Sequence, residues 1–456
     1  MTAPLPPGPG FAGGVAFLRA AGSGRILDFF GDLAARYGPL ASVPLGLQRI
    51  VLATDPALVE EILVTRQHEF VRDTGATLLR ELVGEGLLTT DDPAHLERRR
   101  LMQPAFHRAR VSRYGEIVVS ETERVLATWR GSASIDVGAE MAKLTLAAVG
   151  AALFGTDLRA GAADVADVLA RVSRRGGRLA ALLAFAGPLL RPLHAAFPRR
   201  ASFLFPRERA RLEAIVAPLV ARERAAGGGD DLLALLLAAR DDGGRGLDDA
   251  AVRNEICMLI LAGHETTATA LTWTFALLAQ HRDVAARLHA EIDTVCGGRR
   301  PTVEDLPRLP YVARVFDETL RLYPSAAAFA RRPMRAIDLG GYRIPAGASI
   351  FVSPYLVQRD ARYFREPLAF APDRWETATH PKFAFFPFGG GSKMCIGEPF
   401  ARMEALLAIA TIAGAYALER TDDEPLDISA RGLLRPARPV MLAAVERSRH
   451  VHVHPS

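Results

Sequence analysis

Phe385-Phe386-Pro387-Phe388-Gly389-Gly390-Gly391-Ser392-Lys393-Met394-Cys395-Ile396-Gly397 decides how the rest of the chain reads. One cysteine stands in a loop with glycines at fixed distances on both sides and an aromatic seven residues before it. A thiolate that binds metal needs backbone room for a large ligand, amide N–H groups to soften its charge, and apolar cover against water and oxidation. This loop has the residues for all three, although a glycine-rich turn around an inert buried cysteine would also fit the loop taken alone. Residues 399–416 read as a largely apolar helix. Cys395 therefore falls just before a helix N-terminus, whose dipole favours thiolate.

Working outward, the longest helical pattern is 249–280, about 48 Å by helix rise. Its middle, Cys257-Met258-Leu259-Ile260-Leu261-Ala262-Gly263, is apolar nearly all round, as in a buried helix. His264, Glu265, Thr266 and Thr267 then arrive together. A buried carboxylate beside two hydroxyls is costly unless it serves something. The threonines could also simply bond back to carbonyls four residues earlier and bend the helix, and a bent turn is where a small ligand could sit. Residues 311–323 form a helix stopped by Pro324 and carry Glu318-Thr319-Leu320-Arg321, an i, i+3 ion pair. Around His95-Leu96-Glu97-Arg98-Arg99 a helix sets His95 and Arg99 four apart on one face, where they could jointly hold an anion or merely be solvated.

The remaining chain reads as Pro/Gly-rich extended lead-in over 1–14, a helix over 26–37, a β-hairpin over 41–53 and a helix over 56–63. Residues 71–92 are glycine-punctuated and read as a loop. Helices follow over 139–154 and around Val165 and Leu212, and a hairpin over 337–350. Residues 179–190 are apolar and too short to span a bilayer; a lid or a membrane-surface contact would suit them. Gly8-x-Gly10-x-x-Gly13 matches the dinucleotide fingerprint by letter, but no strand precedes it. Residues 446–456 read as a flexible His-containing tail.

At 456 residues and 49% hydrophobic the chain can bury a large core, and 23% charged residues argue against wholesale disorder. The formal charge of +5 is carried almost wholly by arginine, since Lys143, Lys382 and Lys393 are the only lysines. No basic run is interleaved with aromatics, which excludes a nucleic-acid groove as the reading. Cys257, Cys296 and Cys395 are odd in number and far apart, so a reducing, cytoplasmic compartment is expected. No run of about 18 apolar residues is present.

Phe388-x-x-Gly391-x-Lys393-x-Cys395-x-Gly397, Glu318-x-x-Arg321 and Ala262-Gly263-His264-Glu265-Thr266-Thr267 together resemble the cytochrome P450 family in order and approximate spacing. The resemblance runs from His95 to Gly397, and both flanks are compatible with it. It implies a mainly α single-domain fold with small β-sheets over 15–445, holding a non-covalent haem b with Cys395 as axial thiolate. A thiolate pushes electron density onto iron and favours O–O cleavage. In the family's pattern Phe388, Gly391 and Gly397 shape the cofactor loop, and His95, Arg99 and Arg331 meet the propionates. Lys393 departs from the arginine or histidine more usual there and supplies a point charge without a bidentate fork. Pro333 and Ala336 also depart, which leaves Arg331 and Arg332 both open as the propionate partner. Glu318, Arg321 and Arg374 would form an ion triad behind the haem. Glu265 and Thr266 would deliver the protons that dioxygen cleavage consumes, and Leu88, Ala262 and Ala326 would face substrate.

The implied activity is monooxygenation of a hydrophobic small molecule, a terpenoid or similar scaffold, by a monomer. Fatty-acid hydroxylation is the alternative within the family, with Arg80 the first residue that could anchor a carboxylate. A haem sensor without turnover and a peroxide-driven peroxygenase are the rivals from other classes. Roughly 60 residues follow Cys395, so electrons are expected from a separate ferredoxin and its reductase.

Overall fold

The computed structural model describes residues 3–161, 164–169, 171–172, 175, 204–228, 231–240, 244, 246–377, 379–422 and 424–447. The expected lid at 179–190 and the tail beyond 447 lie outside them. The fold is mainly helical, with a five-stranded sheet in the order β1-β2-β8-β5-β3. Its strands are β1 (Leu40–Leu45), β2 (Gln48–Ala53), β3 (Phe70–Arg72), β5 (Phe329–Pro333) and β8 (Ser349–Val352). β2 and β8 pair in parallel, so a strand from the first sixty residues lies beside one from beyond residue 340. In a three-stranded sheet β12 (Met441–Glu446) lies between β4 (Ile135–Asp136) and β9 (Tyr416–Arg420) and pairs with both. β6 (Ile337–Leu339) pairs with β7 (Tyr342–Ile344), and β10 (Ile428–Ser429) with β11 (Arg435–Pro436).

The central helix, Asp249–Gln280, begins where the Asp248 carboxylate accepts from the Ala251 N–H at 2.7 Å. Its first half, Val252 to Leu261, is buried in one apolar cluster, and Ala268 to Leu278 in a second. The cysteine helix, Glu398–Ala415, straddles the same two clusters, through Phe400, Met403 and Leu407 on one side and Ala405 to Ala413 on the other. The polar stretch Gly263 to Thr267 therefore falls at the seam between the clusters. Against the expectation that no 18-residue apolar stretch is present, the helix Val137–Phe154 is, among the described residues, long and apolar enough to cross a membrane although it holds Glu140 and Lys143, and it is largely buried against the central helix.

Three local expectations need correction. Extended chain gives way at Gly10 to the helix Gly10–Ser23. Its glycines serve packing: a Cβ at Gly14 would stand 2.4 Å from the Pro44 carbonyl oxygen, so the helix lies directly on β1. Tertiary contact overrides propensity here. The stretch read as loop over 71–92 contains the end of β3 and the helix Thr74–Val83, which stops at Gly84 with φ +81°. Glu446 belongs to β12, and Arg447 pairs with Asp293, so the tail starts later than 446.

Candidate active site

The cysteine loop is built by its backbone. Gly389 and Gly391 take positive φ, and a Cβ at Gly391 would sit 1.8 Å from the Leu63 carbonyl oxygen, so only glycine fits. Gln67 Oε1 accepts from the Ser392 N–H at 2.6 Å, and the Phe388 carbonyl accepts from the Cys395 N–H at 3.0 Å. Gly397 has Cys395 Sγ as its nearest outside atom, 3.9 Å from where a Cβ would be. The Phe388 ring lies under the Arg402 guanidinium at 5.1 Å. Desolvation, with the Glu398 carboxylate behind it, pushes the Cys395 thiol up on balance, while the Gly397 amide, the Arg99 charge and the Glu398 amide oppose it. The residue nevertheless keeps exposed surface. A thiol deep enough to lose its water and yet accessible opens onto space inside the fold.

Beside it gathers a set of buried and half-buried basic side chains, among which burial lowers the pKa of His95. The helix Ala94–Met102 supplies His95 and Arg99, and β3 supplies Arg72 opposite Arg331 of β5. Burial lowers the pKa of Arg331 to about 10, with Arg72 adding repulsion. Arg72 and Arg331 likewise depress Lys393, behind the larger effect of burial. Arg331, buried on β5, thus joins the cluster, and Arg332 points the other way on the strand. Lys393 reaches Asp92 at 3.2 Å, and His95 Nδ1 donates to the same carboxylate at 2.9 Å. Arg99 donates to the Met394 carbonyl at 2.7 Å, tying this helix to the cysteine loop. Asp91 and Asp92 do not balance Arg72, Arg99, Arg331 and Lys393. An excess of buried cations calls for an anionic ligand, and a haem with two carboxylates and a thiolate-seeking iron fits this donor set.

Glu318, Arg321 and Arg374 meet in one ion cluster. Arg321 donates twice to Glu318 at 2.8 Å, and Arg374 Nε donates at 2.9 Å. Trp375 Nε1 and the Ala371 N–H complete the carboxylate's shell at 3.0 Å each. Gln358 links the triad to the loop: it donates to the Leu320 and Arg321 carbonyls and accepts from the Phe386 N–H at 3.0 Å.

On the central helix, Thr266 donates to the Ala262 carbonyl at 2.7 Å and Thr267 to Gly263 at 3.3 Å, so the back-bonding reading holds. Glu265 is half-buried and ion-paired with Arg435 of β11; it makes no hydrogen bond to Thr266. Ala262 and Ala326 are partly buried and Leu88 is 37% exposed. Arg72, Asp92, Arg98, Glu255 and Arg435 escaped the sequence reading. Each acts across pairings of strands or helices that no local pattern announces.

A thiol at a helix start, beside an unbalanced set of basic side chains, has the chemistry of a thiolate-ligated cofactor site. The cytochrome P450 family model matches residues 4–444. The chain is 39% identical to cyclooctatin synthase of Streptomyces melanosporofaciens, over 86% of this chain and 85% of that one. It is 33% identical to pentalenene oxygenase of Streptomyces avermitilis, over 94% and 92%. The structure of retinoic acid-bound cyanobacterial CYP120A1 superposes with a TM-score of 0.83 at 22% identity, covering 98% of this chain and all of that one, and shows the fold. The chain belongs to the cytochrome P450 family. It is a haem-dependent monooxygenase taking electrons from redox partners.

Proposed function

We propose that this enzyme hydroxylates a terpenoid or similar lipophilic scaffold, carrying haem b and drawing electrons from a ferredoxin and its reductase. The observation that carries the substrate class is similarity over most of the chain to enzymes named cyclooctat-9-en-7-ol 5-monooxygenase and pentalenene oxygenase, whose names point to terpenoid oxidation. The apolar residues Leu88, Ala262 and Ala326 agree with it. Haem, when bound, supplies dioxygen activation and oxygen insertion. Cys395 would hold the iron as thiolate, a charge that the Gly397 and Glu398 amides stabilise. Arg99, Arg331, Lys393 and His95, joined by Arg72, hold the cofactor's carboxylates. Thr266 delivers protons on the oxygen side, releasing the Ala262 carbonyl to do so. Glu265 resupplies it by leaving Arg435, taking a proton from solvent water and passing it to the hydroxyl.

The test is a spectral titration of the purified ferric protein with terpenes, steroids and fatty acids. A shift towards high spin with terpenes, followed by a hydroxylated product that requires both reductant and oxygen, is expected. A shift only with long-chain acids would overturn the substrate class and point to a carboxylate anchor, Arg80 first. Product from peroxide alone would overturn the proton-delivery roles.

A further inference from the structure

The segment Gly84 to Thr90 packs its backbone directly on the central helix. A Cβ at Gly84 would stand 2.4 Å from Asn254 atoms, and one at Gly86 would stand 2.8 Å from the Met258 methyl carbon and 3.0 Å from Glu255 Oε2. Both peptide groups of Leu87 are held by charged side chains. Its N–H donates to Glu255 Oε2 at 3.1 Å, and its carbonyl accepts from Arg72 Nη2 at 3.0 Å. Arg72 also reaches the Thr90 carbonyl at 2.9 Å. The Leu88 N–H points at Met258 Sδ, 3.0 Å away, and Asn254 donates to the Glu85 carbonyl at 3.3 Å. Leu87 is thereby sunk in the core while the next side chain, Leu88, keeps open surface.

Glu255 has no solvent exposure, and its other oxygen accepts from Arg98 Nη1 at 2.6 Å. Arg98 stands next to Arg99 on the helix Ala94–Met102, whose Arg99 would hold the cofactor's carboxylates. On the central helix, Glu255, Met258, Ala262 and Thr266 are spaced 3, 4 and 4 apart and form one stripe. Glu255 lies about 10 Å along the axis from Ala262. One buried carboxylate thus joins three bodies: the helix with the oxygen-side threonine, the helix with the cofactor cations, and the segment carrying Leu88.

We propose that Glu255 is a positioning residue for substrate selection, fixing the Leu87–Leu88 wall relative to Thr266 through the Leu87 amide and Arg98. Glu255 touches neither substrate nor cofactor in this role. It sets where the apolar wall stands, so loosening it widens the range of orientations in which a substrate meets the oxygen side. The inference rests on the proposed function for Leu88 facing substrate and Thr266 standing on the oxygen side, and on its terpenoid reading for the choice of probe.

The experiment compares haem-loaded wild type with Glu255→Asp, which keeps the charge and withdraws its reach by one methylene. A second variant, Glu255→Gln with Arg98→Gln, removes both charges and leaves no uncompensated one. Hydrogen exchange of peptides spanning 84–90 is read by mass spectrometry, and pentalenene binding by the spin-state shift. In Glu255→Asp, exchange in 84–90 is expected to speed up about tenfold while peptides of 268–278 stay unchanged. The pentalenene dissociation constant is expected to rise by about the same factor, with product spread over more positions. Should Glu255→Asp fail to hold haem, the double variant answers by the same readouts. Unchanged exchange in 84–90, or acceleration spread evenly over the whole chain with unchanged affinity and product ratio, would overturn the proposal. If pentalenene does not shift wild type, the substrate reading loses support and exchange alone decides the positioning role.

Discussion

Thr266 gives its hydroxyl to the helix's own carbonyl, and Glu265 gives its charge to Arg435. Both groups must change partner to move a proton. Thr266→Ala removes the hydroxyl without disturbing the helix ladder. It should therefore keep consuming reductant at a comparable rate while peroxide replaces most of the product. Peroxide and product counted per electron check this, and an unchanged product yield would refute the role. A second titratable residue of the interior left no mark in the sequence reading. Glu404 of the cysteine helix has no exposure, and neither carboxyl oxygen has a hydrogen-bond partner among the described residues. Burial pushes its carboxyl up to about 8 from an ordinary 4.5; nearby Thr267, which opposes this weakly, donates instead to Gly263. Between these values the folded chain keeps a proton that the unfolded chain has released. Stability therefore falls as pH rises from about 4.5 to about 8, by an amount of the order of 5 kcal/mol in full. Glu404→Gln should flatten that part of the pH profile, which thermal midpoints at pH 5 and pH 8 for both proteins would show. Such a residue is invisible in sequence because a glutamate in an apolar helix reads like any other until its surroundings are known.

At the scale of elements, the sequence located the long buried helix and the cysteine helix because each is a long, almost continuously apolar run, the first opened by the Asp248 cap and the second by Gly397-Glu398-Pro399. The central helix spans Asp249–Gln280, the boundaries its pattern predicts. Helix Thr74–Val83 was missed because its flanking glycines and charges look like loop chemistry, and its apolar side chains find their cover only on distant helices. The ion triad was legible as a spacing, Glu318-x-x-Arg321, but its weight was not. An exposed i, i+3 pair contributes a few tenths of a kcal/mol. Here both side chains have no exposure, and five donors converge on one carboxylate, fixing the segment from Pro367 to Trp375 against the helix Pro310–Leu322. Glu318→Ala strands the buried Arg321 charge, at a cost of about 3–5 kcal/mol. Gln358 and Trp375 carry the disturbance to Phe385 and Phe386, where the cysteine loop starts. The variant is expected to lose haem on purification, measured as the ratio of Soret to protein absorbance. Full loading would sink the assignment.

Across the whole molecule, the site is assembled from segments that no local pattern connects: β3 and the helix Ala94–Met102 near the start, β5 from beyond residue 328, and the loop before Cys395. His95, Arg99 and Lys393 could be nominated one by one, and β5 placed Arg331 among them through its register with Arg72. The charge imbalance of the assembled cluster could not be read in advance, because it depends on which carboxylates accompany the cations. Asp92 serves both His95 and Lys393, and Arg331 has no carboxylate within salt-bridge distance among the described residues. Self-repulsion among Arg72, Arg331 and Lys393 should therefore oppose folding of haem-free protein and vanish once an anionic ligand is held. Small dianions should partly replace that ligand. The thermal midpoint of apoprotein should rise by several degrees when chloride is exchanged for phosphate at equal ionic strength. Haem-loaded protein, its cations already engaged, should respond much less. Arg331→Leu should lower the phosphate response of apoprotein and also weaken haem retention, since the same charge serves both anions. An equal phosphate response in apo and loaded protein would instead mean that the salt acts on the surface at large, and that the buried cations are balanced without the cofactor.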